Sequence, residues 1–307
     1  MQKKKILLSF LIISGILAIA IFTLTSSYYA QITTPEQAIE ISPPSQELDV
    51  DPGETVQFTT IVRNNGNVSY PLNVRIEDFT ASGDAGQVSL IADGPWSIAS
   101  WATIEPSEFA LDPKDEQKVT ITLNVPKQDI GGGKYGAVVF SRQGEGSENA
   151  TSVSQEIASL FLLRISGPVN EHIKILNFTA PSFVEFGPVP FEMNFENTGN
   201  VHVKVTGIIS VMNVLGKKVD DIIIPPTNVF PKAKRIVTST LDNIFLIGPY
   251  QAVAIIYYGT DNKSITTYTP FFAFPVRIVA AVFFVIFVLF ILRKRIRKAF
   301  KALTAKS

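Results

Sequence analysis

Short alternating β-branched runs, three landmarks that occur twice in one order, and an apolar run at each end of the chain predict the fold class. It is an all-β ectodomain of two tandem immunoglobulin-like β-sandwiches, between an N-terminal signal or anchor helix and a C-terminal transmembrane helix. The 307 residues are 46% apolar and 18% charged, a globular composition enriched by membrane segments. Their length suits about two domains.

The N-terminal segment, residues 1–30, opens with Lys3, Lys4 and Lys5 ahead of the apolar run from Ile6 to Leu24. A positive start before an apolar stretch is an export signal, here long enough to stay as an anchor. Residues 31–39 read as a linker.

Strand signals then recur without a sustained helical period. Val56–Val62, Leu72–Ile76, Val119–Val125, Ala137–Ser141 and Phe161–Ile165 fall in a first domain, 40–166. Val201–Val214, Ile222–Ile224, Ile236–Thr240 and Ala252–Tyr258 fall in a second, 167–272. Asn64-Asn65-Gly66-Asn67-Val68 answers to Asn197-Thr198-Gly199-Asn200-Val201. Pro113-Lys114 before Val119 answers to Pro231-Lys232 before Val237. Gly133-Lys134-Tyr135 before Ala137 answers to Gly248-Pro249-Tyr250 before Ala252. Three landmarks in register predict two copies of one fold.

Each landmark has a structural role. Asn64 and Gly66, and likewise Asn197 and Gly199, should supply the positive-φ positions of a tight turn between antiparallel strands. Tyr135 and Tyr250 fit tyrosine corners, with hydroxyls bonded to backbone. Asn64 and Tyr135 are 71 residues apart and Asn197 and Tyr250 are 53 apart. The first domain therefore carries about 18 extra residues, placed within Thr80–Glu105. That insertion holds Trp96 and Trp101 and the turn cluster Ser82–Gly86. A loop insertion on a rigid sandwich is a usual place for binding. The tryptophans either pack over the core or form an aromatic platform for a glycan or a partner peptide. Gly167-Pro168 reads as the hinge between domains, and Gly131-Gly132-Gly133 as a flexible strand connection.

The transmembrane helix, 273–292, is apolar apart from Arg277 and spans roughly one hydrocarbon thickness. It runs into Arg293, Lys294, Arg295, Arg297 and Lys298 of the basic tail, 293–307. That is a stop-transfer pattern, and both basic ends should stay in the cytoplasm. The chain is then a cell-membrane protein, single-pass, or two-pass if the signal is retained. Its ectodomain is extracytoplasmic and its C-terminus cytoplasmic. The middle, 31–276, holds 16 basic and all 27 acidic residues, a net charge of −11. Such a surface excludes nucleic acid as a partner, because phosphate binding needs a positive footprint. The lipid bilayer is the partner of the transmembrane helix.

Catalytic patterns are missing from the sequence, so it reads as no enzyme, with no cofactor and no metal. Cysteine is absent, which removes disulfides, thiolate metal sites and cysteine nucleophiles. His172 and His202 have no second ligand at metal spacing, and His202 should face outward on a strand. Asp49, Asp51 and Glu54 could hold calcium or flank a turn. Asp220-Asp221 reads as a solvated turn.

A family resemblance rests on Ile41-Ser42-Pro43-Pro44, Pro52-Gly53-Glu54-Thr55, Ser100-Trp101, Pro106 to Pro113, Val125-Pro126 and Gly132 to Val138. In these motifs the first domain resembles that of bacterial WxL-interacting cell-surface proteins, whereas the second domain diverges. The resemblance implies a secretion signal, two Ig-like domains, one transmembrane helix and a basic tail. It also implies attachment at the cell envelope, with cell-wall polymer (peptidoglycan) or other surface proteins as partners. The expected function is a membrane-anchored binding and scaffold protein. The competing expectation is an accessory or assembly subunit of a membrane complex, acting through a β-edge and its transmembrane helix.

Overall fold

The computed structural model describes residues 39–91, 94–129, 131–142, 156–243 and 245–304. The expected signal or anchor with Lys3, Lys4 and Lys5, nearly all of the linker, and residues 143–155 lie outside the described residues. The first ten strands are β1 (Ile39–Ser42), β2 (Ser45–Val50), β3 (Thr55–Asn64), β4 (Tyr70–Ser82), β5 (Gln87–Ile91), β6 (Ala102–Glu105), β7 (Glu108–Leu111), β8 (Glu116–Asn124), β9 (Gly132–Arg142) and β10 (Glu156–Ile165). The next eight are β11 (Ile173–Thr179), β12 (Phe183–Val184), β13 (Val189–Asn197), β14 (Val203–Asn213), β15 (Lys218–Val229), β16 (Lys234–Leu241), β17 (Gly248–Tyr258) and β18 (Lys263–Ala273). One long helix, α1 (Val276–Thr304), closes the chain.

The strands form four sheets in two sandwich-like pairs. In the first pair, β1-β3-β8-β6 faces β2-β10-β9-β4-β5, with β7 beside β4. In the second, β11-β13-β16 faces β12-β18-β17-β14-β15. Pairing is antiparallel except for β2 with β10 and β12 with β18. Alternation decides which side chains go inward, because successive residues of a strand point to opposite faces. In β8, Val119, Ile121 and Leu123 are buried while Lys118, Thr120 and Thr122 are not. Phe58, Val62, Phe140, Phe161 and Leu163 join them in the first core, where the Phe58 and Phe161 rings lie 5.2 Å apart. Phe191, Phe195, Val205, Ile209, Ile256 and Phe271 build the second.

The repeated asparagines do not make tight hairpins. The chain after Asn64 passes from one sheet to the facing one, and the chain after Asn197 does the same. Neither asparagine, nor Gly66 or Gly199, has positive φ. Each asparagine is instead a buried brace. Nδ2 of Asn64 donates to the carbonyls of Val68 (2.7 Å), Leu111 and Asp112 (both 3.1 Å), and Oδ1 accepts from Gly66 N–H (2.9 Å). Asn197 donates to Val201 and Val229 and accepts from Gly199 N–H, all at 2.8 Å. The left-handed residues stand in the opposing turns. Lys114 (φ 67°) and Lys232 (φ 60°) donate their backbone N–H groups to the carbonyls of Asn64 and Asn197. A turn between sheets exposes backbone groups that no ladder satisfies, so a side chain must do it.

One further expectation is corrected here. Asp220 and Asp221 lie within β15, where Asp221 accepts from Ser210 Oγ (2.7 Å) and pairs with Lys218 (2.8 Å). The basic stretch from Arg293 continues α1 as far as Thr304. The side chains of Arg295, Arg297 and Lys298 lie outside the described residues. Asp49 lies in β2, and Asp51 and Glu54 bracket the turn after it, where Asp51 N–H donates to the Glu54 carboxylate at 2.8 Å.

Candidate functional site

The two sheet pairs meet across a third apolar cluster that the strand pattern alone does not reveal. Phe79, Tyr135, Ala137, Val139 and Leu162 come from the outer face of β4, β9 and β10, and Phe230 comes from the turn after β15. Phe230 meets Phe79 edge-on at 5.4 Å and Tyr135 at 5.0 Å. Tyr135 is 1% exposed, and its hydroxyl accepts from His202 N–H at 2.7 Å. It therefore reaches the other sheet pair instead of closing a corner in its own. Tyr250 bonds locally, to the backbone of Ile247 at 3.1 and 3.2 Å. Close approach explains the glycine run. A Cβ on Gly133 would lie 2.0 Å from the Tyr135 hydroxyl, and its N–H donates to Asn200 O at 2.8 Å. The run gives access, not flexibility.

Nor is Gly167-Pro168 a free hinge. The insertion hairpin between β4 and β5 crosses the junction, and Asp84 O accepts from Ile236 N–H on edge strand β16 at 2.6 Å. Lys204 and Asn228 each donate to Glu47 at 2.8 Å. Arg164 pairs with the buried Glu171 at 2.6 Å, and Glu171 also accepts from Thr260 N–H (2.8 Å) and its hydroxyl (3.0 Å). Replacing Tyr135 by Phe keeps the ring packing but orphans the buried His202 N–H. The expected loss is about 1–3 kcal/mol, read as a lower denaturation midpoint of the full chain in detergent. An unchanged midpoint would show that the junction does not depend on this bond.

A cleft of about 220 Å³ opens beside the junction, lined by Glu47, Asp49, Arg164, Glu171, His202 and Lys204 among others. Burial raises the Glu47 carboxyl, but the hydrogen bonds of Asn228 and Lys204 outweigh it and hold it below its usual value. Burial likewise raises Glu171, and the Arg164 and Thr260 bonds again prevail. Glu47 is thus engaged by Lys204, and Glu171 by Arg164. His202 is the exception. The sequence suggests an outward residue, yet it is 7% exposed because the Tyr135 ring covers it edge-on at 5.6 Å. Its Nδ1 has no hydrogen-bond partner, and burial lowers its pKa to about 4. His172 sits apart, exposed, with Nδ1 2.7 Å from Thr198 Oγ1. No group of three His, Asp or Glu among the described residues could hold a metal ion.

Trp96 and Trp101 are not brought together. Trp96 is half-buried against the junction cluster, and its carbonyl accepts from Tyr135 N–H at 2.9 Å. Trp101 packs on the first core, with Lys134 Nζ 5.4 Å above its ring. Its short turn is held by the buried Asp78, which accepts from Ile98 and Ala99 N–H groups at 2.6 and 2.8 Å. Both rings are half-buried against apolar clusters, and no ring contact joins them.

The exposed apolar groups lie elsewhere. On the outer face of the five-stranded sheet, Ile208 of β14 stands directly opposite Ile223 of β15 and Ile255 of β17. All three are exposed, as are Tyr257 and Tyr268 beside them. Directly opposed side chains on one face form a continuous surface. The row was hidden in the sequence because its three members are distant along the chain.

No family model matches the chain, and no curated protein matches it. Among solved structures it is similar to the class 5 fimbriae chaperone CfaA, with 13% identity, 75% of this chain and 98% of that one covered, and a TM-score of 0.38. It is similar to the YadV chaperone at 10% identity, 76% and 99% coverage and a TM-score of 0.38. The E. coli chaperone DraB gives 12%, 76%, 96% and 0.34. At identities and TM-scores this low, nothing about partner or activity carries over.

Proposed function

We propose that the chain is a membrane-anchored binding and scaffold protein of the cell envelope. Two immunoglobulin-like domains, 40–166 and 167–272, stand outside the cytoplasm on α1 and engage another surface protein. It has no catalytic role in this reading, and the envelope is a bacterial one on the resemblance noted above. The observation that carries the binding is the apolar row Ile223–Ile208–Ile255, flanked by Tyr257 and Tyr268 on an open sheet face. Contiguous exposed apolar surface with aromatic neighbours favours a protein partner over a polymer of sugars. The anchor is supported by the apolar stretch Val276–Lys294 of α1, which is long enough to cross a membrane and unburied by the rest of the protein.

A photo-crosslinking residue at Ile223 of the full chain, in its own membrane, is expected to give one discrete adduct, and none at Asn262. Ile208→Glu or Ile255→Glu should each weaken that contact about tenfold or more. Saturable pelleting with peptidoglycan, with no adduct at Ile223, would transfer the reading to cell-wall polymer. The accessory-subunit reading draws support from β15, the last strand of its sheet. Its Pro225-Pro226 lack donors, so strand addition there is confined to Lys218–Ile224.

A further inference from the structure

From the strand register we infer that the helix-proximal end of the second sheet pair is itself a membrane-contact surface, seated in the interfacial region of the bilayer. The inference rests on the reading of α1 as a membrane span. The register defines two ends. Tyr258 opposite Lys263 marks the end facing the junction, while Gly248 opposite Ala273 and Asn213 opposite Tyr250 mark the end from which α1 leaves. There is no spacer between sheet and helix. Phe274 N–H still donates to Val184 O at 2.9 Å, and α1 starts at Val276.

Three connections distant in sequence reach that same end, and each presents apolar side chains to solvent. The β14–β15 hairpin tip carries Val214 and Leu215. The segment before β17 carries Phe245 and Ile247. The short β12 strand places Phe183 on Phe272, with ring centroids 6.2 Å apart. Val214, Leu215, Phe245 and Ile247 are 59–86% exposed. The β17–β18 turn at the opposite end is polar, Gly259-Thr260-Asp261-Asn262. Apolar tips gathered at one end form a patch that a lone soluble domain rarely exposes. Their continuity with the uncovered apolar surface of α1 points to lipid as the occupant. Lys217 follows the hairpin tip, and Arg277 at the first turn of α1 pairs with Glu185 at 3.2 Å, so the case for lipid rests on the apolar tips and not on charge. The sandwich thereby rests on the membrane through three loops and one helix.

The chain has no cysteine, so single substitutions can carry spin labels without a background. We would label Leu215→Cys, Ile247→Cys, Asn262→Cys and Phe284→Cys in the full chain, reconstituted in vesicles of phosphatidylcholine and phosphatidylglycerol. Collision with oxygen, which concentrates in lipid, is compared with collision with a water-soluble nickel chelate. The oxygen-to-nickel ratio at Leu215 and Ile247 is expected to be several-fold above that at Asn262, and highest at Phe284 in mid-helix. Ratios at Leu215 and Ile247 equal to that at Asn262, with Phe284 still lipid-like, would overturn the contact surface and leave the span intact. An aqueous ratio at Phe284 would overturn both.

Discussion

Replacing Asn197 by Asp is expected to destabilise the protein by about 4 kcal/mol or more, the largest effect of any single substitution considered. The two residues have nearly the same shape, so packing is unchanged. What changes is the chemistry of one atom. Nδ2 of Asn197 donates to the carbonyls of Val201 and Val229, both at 2.8 Å, in a site with no solvent exposure. Aspartate places an acceptor against two acceptors and buries a charge. Asn197→Ala loses the two donated bonds without burying a charge, but it also loses the acceptor for Gly199 N–H and leaves a small cavity, so it is a second, differently composed loss. Asn64→Asp should behave alike in the first sheet pair, because Asn64 donates to three carbonyls there. The measurement is equilibrium denaturation of the full chain in detergent. A loss below about 1 kcal/mol, an ordinary value for point substitutions, would show that the brace is dispensable.

Acidification is expected to weaken the fold through His202, and the window follows from its burial. Desolvation lowers its folded pKa to about 4, from an ordinary value of 6.5. Glu47 and Asp49 oppose that shift, while Arg164 and Lys204 add to it. Between those values the unfolded chain binds a proton that the folded chain refuses, so stability falls as pH falls through the window. About 3 kcal/mol is lost across it, and above it this residue adds no pH dependence. Glu47 and Glu171, both held below their usual 4.5, add a further loss in the same direction at the acid end. His202→Phe keeps a ring against Tyr135 and cannot titrate. It should flatten the profile between about pH 6.5 and 4 while leaving the carboxylate loss below it. A wild-type profile already flat there would show that the imidazole is hydrated in the folded protein.

The all-β character and the apolar C-terminal helix were legible because both are written in local periods. Lys118 to Asn124 alternates and falls within β8, and Val276 to Leu292, apolar apart from Arg277, falls within α1. The positions of the repeated asparagines were legible too, but not their chemistry, since a buried brace and a hairpin turn use the same residue type. Contacts between distant residues left no local mark. Nothing near Tyr135 announces His202, 67 residues on, and nothing near Asp84 announces Ile236. For the same reason the glycine run before Tyr135 looked like slack chain, though it is the point of closest approach. Trp96 and Trp101 stand out by residue type, whereas the exposed apolar row consists of ordinary isoleucines that only sheet register aligns.

The direct passage from β18 into α1 has a mechanical consequence. A pull between the first sheet pair and the helix enters the second pair at Ile173, beside Asn197, and leaves at Ala273, beside Gly248. Those points lie at opposite ends, so the load runs along β11 and β18 and shears them against β13 and β17. Ladder bonds lie across the strands and resist such shear together, not one after another. The second sheet pair is thus oriented to bear tension, and under force the apolar packing of the junction should part before β18 slides.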